Sequence, residues 1–240
     1  MKKAINIISA LLITISTTAC HKDKIWVVGK GGETTEVRNV SNFSGIELKM
    51  SANVEYIQDS IYKVEVTAQS NLLPVIETVV YGTVLTIDNK AWISGKSLPV
   101  TVVIHAPDMN KLRVSGSGNI HSKTAINTTS MEVAVSGSGN ITIPAITAQS
   151  MNCKISGSGN VEINGGSVSK EIFSISGSGN ISTQELTSDD CVVTISGSGD
   201  ATVQAVKTLD VTISGSGNVK YKGNPVVTTR ITGSGKIINL

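Results

Sequence analysis

The sequence predicts an all-β fold, a single parallel β-solenoid (β-helix) built from repeats of about 18–21 residues. A Ser-Gly-Ser-Gly-Asn pentamer, or a close variant of it, recurs at a nearly constant interval in the second half of the chain. Apolar and polar residues alternate on both sides of each copy. The 240 residues include two Trp, four Tyr and two Phe, so we expect a core of small β-branched side chains.

The interval between the pentamers distinguishes stacked structural repeats from a flexible Gly/Ser linker. Steps of 21, 20, 20, 20, 18 and 18 residues separate copies that begin at Ser115, Ser136, Ser156, Ser176, Ser196, Ser214 and Thr232. Gly/Ser linkers have no patterned apolar segments of constant length between them. Each copy is therefore expected to occupy the same place in successive turns, with regular repeats from residue 111 onward.

The residues before each pentamer predict a half-buried strand. The position directly before the pentamer is always β-branched, in Val114, Val135, Ile155, Ile175, Ile195, Ile213 and Ile231. The position two residues earlier is mostly apolar, and the intervening one is mostly polar or small, as in Lys154 and Thr194. This period of two indicates a strand with one face in the core. The alternation resumes after the pentamer, at Ile120 and its counterparts, and predicts a second strand in each repeat.

The pentamer itself predicts a tight corner between the two strands. Glycine is expected there because a sharp bend asks for positive φ. An amide side chain follows the second glycine in most copies, and identical amides stacked at the strand spacing can form a hydrogen-bonded ladder. The predicted structural ladder consists of Asn119, Asn140, Asn160, Asn180 and Asn218. The general bias of β crossover connections predicts a right-handed solenoid.

The N-terminus predicts export and a lipid anchor. Lys2 and Lys3 precede a short apolar run, and small residues lead to Cys20, so residues 1–19 are interpreted as a lipoprotein signal peptide. Cys20 would then be the acylated first residue of the mature chain and would attach it to the membrane. Residues 20–38 are expected to be the lipidated Cys and a flexible tether. This organisation predicts an exported lipoprotein anchored in the outer membrane and facing either the periplasm or the cell surface.

The charge of the chain gives no sign of a nucleic-acid partner. The formal net charge of +2 falls to zero when residues 1–19 are removed, because that segment contains two lysines and no acid. The sequence has no basic patch with interleaved aromatic residues. We therefore expect no nucleic-acid binding.

Before the repeats, frequent strand signals continue without visible periodicity, and only Ser70 to Thr78 suggests a helical turn. Phe43-Ser44-Gly45-Ile46, the strand Val54 to Gln58, the Leu85-Thr86-Ile87 segment, Val100 to Pro107 and the Gly-Ser-Gly-Asn repeats follow in a characteristic order. In this order the chain resembles the bacterial "putative auto-transporter adhesin, head GIN domain" family of secreted lipoproteins, found mostly in Bacteroidota. The resemblance covers about residues 39–240 and implies one β-solenoid domain there.

No catalytic, cofactor-binding or metal-binding residues are predicted. A nucleotide-binding Gly-x-Gly-x-x-Gly is not formed, because the third glycine is missing from every copy. Calcium-binding solenoids repeat an Asp in their corners, whereas here only Asp200 does so. The acids of the repeats, among them Glu162, Glu171 and the Asp189-Asp190 pair, fall in different columns, so paired carboxylates for glycoside chemistry are not expected.

These observations favour a non-catalytic cell-envelope lipoprotein that acts in adhesion or scaffolding. The expected partners are the membrane, through Cys20, cell-surface or matrix polymers, and further copies of the chain at the solenoid edges. The alternative is a β-helix that binds glycans or processes polysaccharides, marked by a cleft with clustered aromatics or acids. In the repeats only Tyr221 is expected as an exposed aromatic. Cys153 and Cys191 are predicted to be buried free thiols.

Overall fold

The structure is a computed structural model that describes residues 25–240. The predicted signal peptide, Cys20 and the first residues of the predicted tether lie outside the described residues. Ile25, the first described residue, directly precedes the first strand.

The described chain is almost entirely β-structure. Before the repeats it forms β1 (Trp26–Val27), β2 (Glu33–Arg38), β3 (Gly45–Leu48), β4 (Asn53–Gln58), β5 (Lys63–Gln69), a 3-10 helix (Leu73–Val75), β6 (Ile76–Tyr81), β7 (Val84–Asn89), β8 (Trp92–Ile93) and β9 (Thr101–Ala106). The 3-10 helix lies within the segment for which the sequence suggests a helical turn. None of the helical structure in residues 25–240 has the length and apolar character needed to cross a bilayer.

The repeat region continues as strands to the end of the chain. These strands are β10 (Lys111–Val114), β11 (Asn119–Ser122), β12 (Ile126–Asn127), β13 (Ser130–Val135), β14 (Ile141–Ile143), β15 (Ile146–Ile155), β16 (Val161–Ile163), β17 (Gly166–Ile175), β18 (Ile181–Ile195), β19 (Ala201–Gly215), β20 (Val219–Lys222), β21 (Val226–Gly233) and β22 (Ile237–Asn239).

The strands stack in parallel and in register, one turn upon the next. β10 pairs with β13, β13 with β15, β15 with β17, β17 with β18, and β18 with β19. Val133, Cys153 and Phe173 are successive members of one such column, and all three are fully buried. This confirms the predicted parallel β-solenoid. β-branched side chains fit such columns because they pack well on a pleated surface.

The cysteine prediction is also confirmed. Cys153 and Cys191 are both buried and free. Burial in the core raises the pKa of each thiol well above its usual range, since a thiolate there would lose its hydration. Both residues therefore act as small apolar core side chains.

The corner glycines are explained by stacking, and the expected positive φ is wrong for most of them. Among residues 25–240, the corner glycines with positive φ are Gly177 (159°), Gly215 (146°) and Gly233 (123°), and the first of these is close to ordinary extended backbone. A Cβ on Gly139 would instead overlap the carbonyl oxygen of Gly118, which lies directly below it in the stack. The corners need glycine because backbone approaches backbone there.

The N-terminal half belongs to the same stack. β10 pairs with β3, and β3 with β7; likewise β11 pairs with β4, and β4 with β9, all in parallel. The next strands reverse direction, because β6 pairs with β7 and β5 with β9 in antiparallel fashion. Two irregular turns therefore precede the regular repeats, and antiparallel strands cover that end of the core.

The expectation of a flexible tether over residues 20–38 is corrected for its described part. β2 pairs antiparallel with β5 over six residue pairs, from Glu33 with Gln69 to Arg38 with Val64. The loop before it is also attached, because the Lys30 amide donates to Asn71 Oδ1 at 2.7 Å. The polar and glycine-rich sequence is typical of a linker, but it forms an edge strand whose side chains mostly face solvent.

The C-terminal end, in contrast, is open. In the last turn the core position is held by Ile231, which is 42% exposed, whereas Ile213 in the turn below is 1% exposed. Val226 and Leu240 are exposed as well. Within the described residues, β21 pairs with β19 alone and β22 with β20 alone. The last turn therefore presents an unpaired strand edge and an uncovered end of the core.

Candidate binding cleft

The structure brings the predicted asparagines together in one exposed column at the corners. Asn140 Nδ2 donates to Asn119 Oδ1 at 2.9 Å, and the same oxygen accepts the Asn140 backbone N–H at 3.2 Å. Asn160 and Asn180 repeat both contacts one turn further along, with amide-to-amide distances of 3.0 Å. Each side chain thus holds both the backbone and the side chain of the next turn.

The column contains two members besides the predicted asparagines, one at its N-terminal end and one inside it. Asn119 donates to Asn53 Oδ1 at 3.2 Å, so the irregular N-terminal turn contributes a member that sequence alignment of the pentamers did not reveal. Between Asn180 and Asn218, Asp200 takes the place of an asparagine, and its Oδ1 accepts the backbone N–H and the Nδ2 of Asn218 at 2.6 and 3.0 Å. We call this row, from Asn53 to Asn218, the amide ladder.

The acidic residues of the repeats do not converge on a reaction centre. Asp189 accepts from Lys207 Nζ at 3.0 Å, which raises the pKa of that lysine, and Asp190 accepts from Thr208 at 2.6 Å. Glu185 pairs with Lys222 at 2.7 Å. In the described part of the chain, no three His, Cys, Asp or Glu side chains are grouped as metal ligands would be.

Glu171 differs from the other acids because its side chain lies inside the core. It is fully buried, stacked between Met151 and Cys191 in a column that otherwise carries apolar residues. Ser188 Oγ donates to its Oε1 at 2.9 Å, while Oε2 has no hydrogen-bond partner among the described residues. Burial raises the pKa of Glu171 to about 7, and hydrogen bonds from the Cys191 thiol and from Ser188 oppose that rise.

A cleft of about 510 Å³ opens at the corners of the first three turns. In two of these turns the corner is short, formed by residues 49–52 and 115–118 between paired strands. In the turn that pairs β7 with β3 and β9 with β4, residues 90–100 replace the short corner by a longer loop that contains β8. The cleft lies between this loop and the neighbouring corners.

Two tryptophans form an aromatic surface beside this cleft. Trp92 lines the cleft, and its ring stacks on Trp26 with a centroid distance of 6.0 Å and an interplanar angle of 30°. β1 holds Trp26 in place by pairing in parallel with β8. Trp26 is 69% and Trp92 50% exposed. We call these two residues the tryptophan pair.

The loop that carries Trp92 is bound to the segment around Trp26 by three hydrogen bonds. The Trp92 backbone N–H donates to the Ile25 carbonyl at 3.0 Å, and that of Ser94 donates to the Val27 carbonyl at 2.9 Å. Ser97 Oγ accepts from the Gly29 N–H at 2.8 Å. Val27 and Ile93 point the other way and pack against the core. The rings are therefore presented on a supported two-stranded sheet.

The lining of the cleft is mainly hydroxyl, amide and apolar groups. Its polar side chains include Ser51, Asn53, Ser94, Ser97 and Asn119. Among the lining residues that the structure describes, the one charged side chain is Lys49, which pairs with Glu47 at 3.2 Å. Such a lining can bind a polar, uncharged ligand that also offers an apolar face to the indoles.

The sequence did not predict this cleft. Tyr221, the expected exposed aromatic, is only partly exposed and packs against the core. The tryptophans are 66 residues apart in sequence, and both lie outside the repeats. A usable signal was nevertheless present, because the chain has only two tryptophans and neither occupies an alternating core position.

Comparison with known proteins gives a family and a fold. Residues 42–225 match the family described as "Putative auto-transporter adhesin, head GIN domain". Among proteins with curated functions, none matches the chain.

Several crystal structures have the same fold. A "putative adhesin" from Bacteroides fragilis is 23% identical with a TM-score of 0.85, over 89% of this chain and 100% of that one. A "putative lipid binding protein" from Parabacteroides distasonis is 26% identical with a TM-score of 0.74, over 90% and 99%. A "putative adhesin" from the same species is 27% identical with a TM-score of 0.73, over 90% and 100%.

Proposed function

The chain belongs to the head GIN domain family of auto-transporter adhesins, and from this membership we propose that it is a non-catalytic adhesion or scaffolding protein of the cell envelope. Its solenoid displays a binding surface, and a lipid on Cys20 holds it to the outer membrane. The observation that carries the proposal is the cleft with the exposed tryptophan pair at its edge, because exposed paired indoles are costly unless they meet a partner.

The position of the cleft agrees with a membrane-attached protein. Trp26 follows Cys20 by only six residues, so the N-terminal turns would lie near the membrane and the repeats would extend away from the anchor point. An acyl chain and a self-contained solenoid are separable modules. Binding to surface or matrix polymers would be strengthened by many copies on one membrane.

The anchor is tested by Cys20→Ser in the producing cells. We expect the protein to leave the membrane fraction while keeping the melting temperature of the purified wild-type solenoid. Retention of the variant in the membrane at the wild-type level would contradict the lipid anchor. Protease treatment of intact cells then tells whether the anchored wild-type protein faces the surface or the periplasm.

Glycan binding is the alternative for which the structure provides a specific observation. Clustered aromatics in a cleft are the expected mark of such a protein, and the tryptophan pair fits that description. Polysaccharide processing would need converging acids. Loss of polysaccharide-degrading activity in Glu162→Gln or Asp200→Asn would favour an enzyme, whereas unchanged polymer length with the wild-type protein favours binding alone.

The open C-terminal end supports self-association as part of this function. An antiparallel pairing of β21 with β21 of a second copy, centred on Thr229, keeps the core-facing positions on one side. Val227 would then lie opposite Ile231 of the other copy, and Arg230 opposite Thr228 rather than opposite itself. At the N-terminal end β2 and β6 also pair on one side only, but antiparallel strands cover the core there, so this end offers no uncovered core for the same contact.

A further inference from the structure

We infer that the cleft and the tryptophan pair form a binding site for an extended, uncharged polysaccharide, with the sugar rings lying on the indoles and the chain continuing along the amide ladder. This inference rests on the proposed adhesive function and specifies its ligand. Four features of the site support it.

The first feature is the exposed aromatic surface. The two indoles stack on each other at 6.0 Å with an inclination of 30°, and they remain 69% and 50% exposed, so each still offers ring surface to a ligand. A pyranose ring has an apolar face of C–H groups that packs on such a surface, while its hydroxyls remain in contact with water. Tryptophan suits this task because it combines a large rigid apolar area with a polar N–H at its edge.

The second feature is the neutral rim. A sugar needs hydrogen-bond donors and acceptors around its apolar face, and Ser51, Asn53, Ser94 and Asn119 bring hydroxyl and amide groups to the cleft. An anionic polymer would instead require cationic side chains. Lys49 is the one cation among the described lining residues, and its charge is offset by Glu47 at 3.2 Å.

The third feature is the extension of this polar surface beyond the cleft. Asn53 and Asn119 belong both to the cleft lining and to the amide ladder. From there, Asn140, Asn160 and Asn180 continue the row toward the C-terminal end, one residue per turn, with exposed or half-exposed side chains. Successive turns are about 4.8 Å apart. A polymer leaving the cleft would therefore meet a regular series of amides.

The fourth feature is the support of the site before any ligand binds. The loop of residues 90–100 is fixed to β1 by backbone hydrogen bonds and by Ser97. A site that is held in place in advance loses less conformational entropy on binding. This suits a ligand whose individual sugar contacts are weak.

Intrinsic fluorescence tests the inference directly, because the two tryptophans of the chain both lie at this site. The purified full-length chain is titrated with a neutral glucan, a neutral mannan, an anionic polygalacturonate and phospholipid vesicles. We expect a saturable change in tryptophan emission with at least one neutral polymer. We expect tighter binding for longer oligosaccharides of that polymer and little response to polygalacturonate or vesicles.

A variant pair checks the site independently of fluorescence. By calorimetry, Trp92→Ala should weaken binding of the neutral polymer by about tenfold or more. Tyr81→Ala removes an aromatic ring of 66% exposure that does not line the cleft and should leave the affinity unchanged. Equal melting temperatures of the two variants exclude unfolding as the cause.

Three results would overturn the inference. These are stronger binding of polygalacturonate, stronger binding of vesicles, or calorimetric binding of neutral polymer that Trp92→Ala leaves intact. If no soluble polymer binds but protein-displaying cells attach to a natural surface, the glycan ligand is refuted and the adhesive function stands. Failure of attachment as well would refute both.

Discussion

At the scale of single residues, the corner glycines show why one pentamer recurs. From Gly139 onward, the second glycine of each corner lies over the carbonyl oxygen of its counterpart one turn below, and a β-branched side chain from the strand of that lower turn closes the space from the side. For Gly139 these neighbours are the Gly118 oxygen and Val114 Cγ1. There is no room for a Cβ without separating the turns, so the regular repeats keep glycine at this position.

Gly139→Ala should therefore lower the free energy of unfolding by about 3 kcal/mol or more, since the added methyl must displace backbone. Gly32→Ala is the matched control, because a Cβ at Gly32 would meet nothing within 4 Å and its φ is not positive. Urea denaturation of the two variants measures the difference. A similar small loss in both would mean that close stacking does not explain the corner glycines.

Glu171 makes stability depend on pH in a predictable direction. Its pKa is about 7 in the folded chain against an ordinary value of 4.5, so the folded state holds the proton more tightly than the unfolded state. This contribution is fully present below about pH 4.5 and is lost as the pH rises through about 7. The loss amounts to roughly 3 kcal/mol.

The Glu171→Gln variant cannot ionise at this position, so it should not lose this stability as the pH rises. We expect the variant to gain stability relative to wild type between pH 5 and pH 8, by up to about 3 kcal/mol, as measured by urea unfolding at both values. Comparing differences between the two proteins cancels the other titrating groups. A difference that stays constant over this range would show that Glu171 is ionised in the folded protein.

At the scale of structural elements, the amide ladder joins successive corners. Asn160 Oδ1 accepts from both the backbone N–H and the Nδ2 of Asn180, and Asn160 itself donates twice to Asn140. Because the ladder is exposed, water can replace part of the hydrogen bonding that is lost when Asn160 is substituted. Asn160→Ala should cost about 1–2 kcal/mol of unfolding free energy.

Glu162→Ala provides the comparison for the ladder, since Glu162 lies in the same turn and faces solvent. This substitution should change the free energy of unfolding by no more than about 0.5 kcal/mol. Thermal and urea unfolding of the two variants give the result. Equal losses of stability in the two variants would indicate that the hydrogen bonds of the amide ladder add nothing to the stability that strand pairing provides.

The regular turns could be predicted from sequence because a fixed period places equivalent residues in one column. The columns around Val133 and Phe173 and the asparagine positions follow from alignment alone. The covering strands β2 and β6 do not repeat, and the polar residues of β2 are equally typical of a linker, so their pairing could not be predicted from the sequence. The cleft depends on contacts between β1 and β8, which no local pattern encodes.

At the scale of the whole molecule, the two ends of the solenoid differ. The N-terminal end is covered, carries the cleft and lies nearest the predicted anchor, whereas the C-terminal end exposes Ile231 and an unpaired strand edge. Exposed edges of this kind favour pairing with another chain. This difference supports the proposed binding at one end and the proposed self-association at the other.

Ile231→Lys tests the open end. A charge on the uncovered core should weaken self-association by about tenfold or more, because it would be desolvated between two copies. Light scattering over a concentration series measures the change, with Lys220→Ala on the side wall as the control. Wild-type protein that stays monomeric at all concentrations would contradict the pairing of β21 with β21 of a second copy.

Retention of cells on a polysaccharide-coated surface under flow tests whether this solenoid acts as an adhesin through the cleft and the tryptophan pair. Cells displaying the wild-type protein through Cys20 are compared with cells displaying equal amounts of Trp92→Ala. We expect wild-type cells to be retained and the variant cells to detach at much lower flow. Equal retention of wild-type and variant cells at matched display would contradict adhesion through this site.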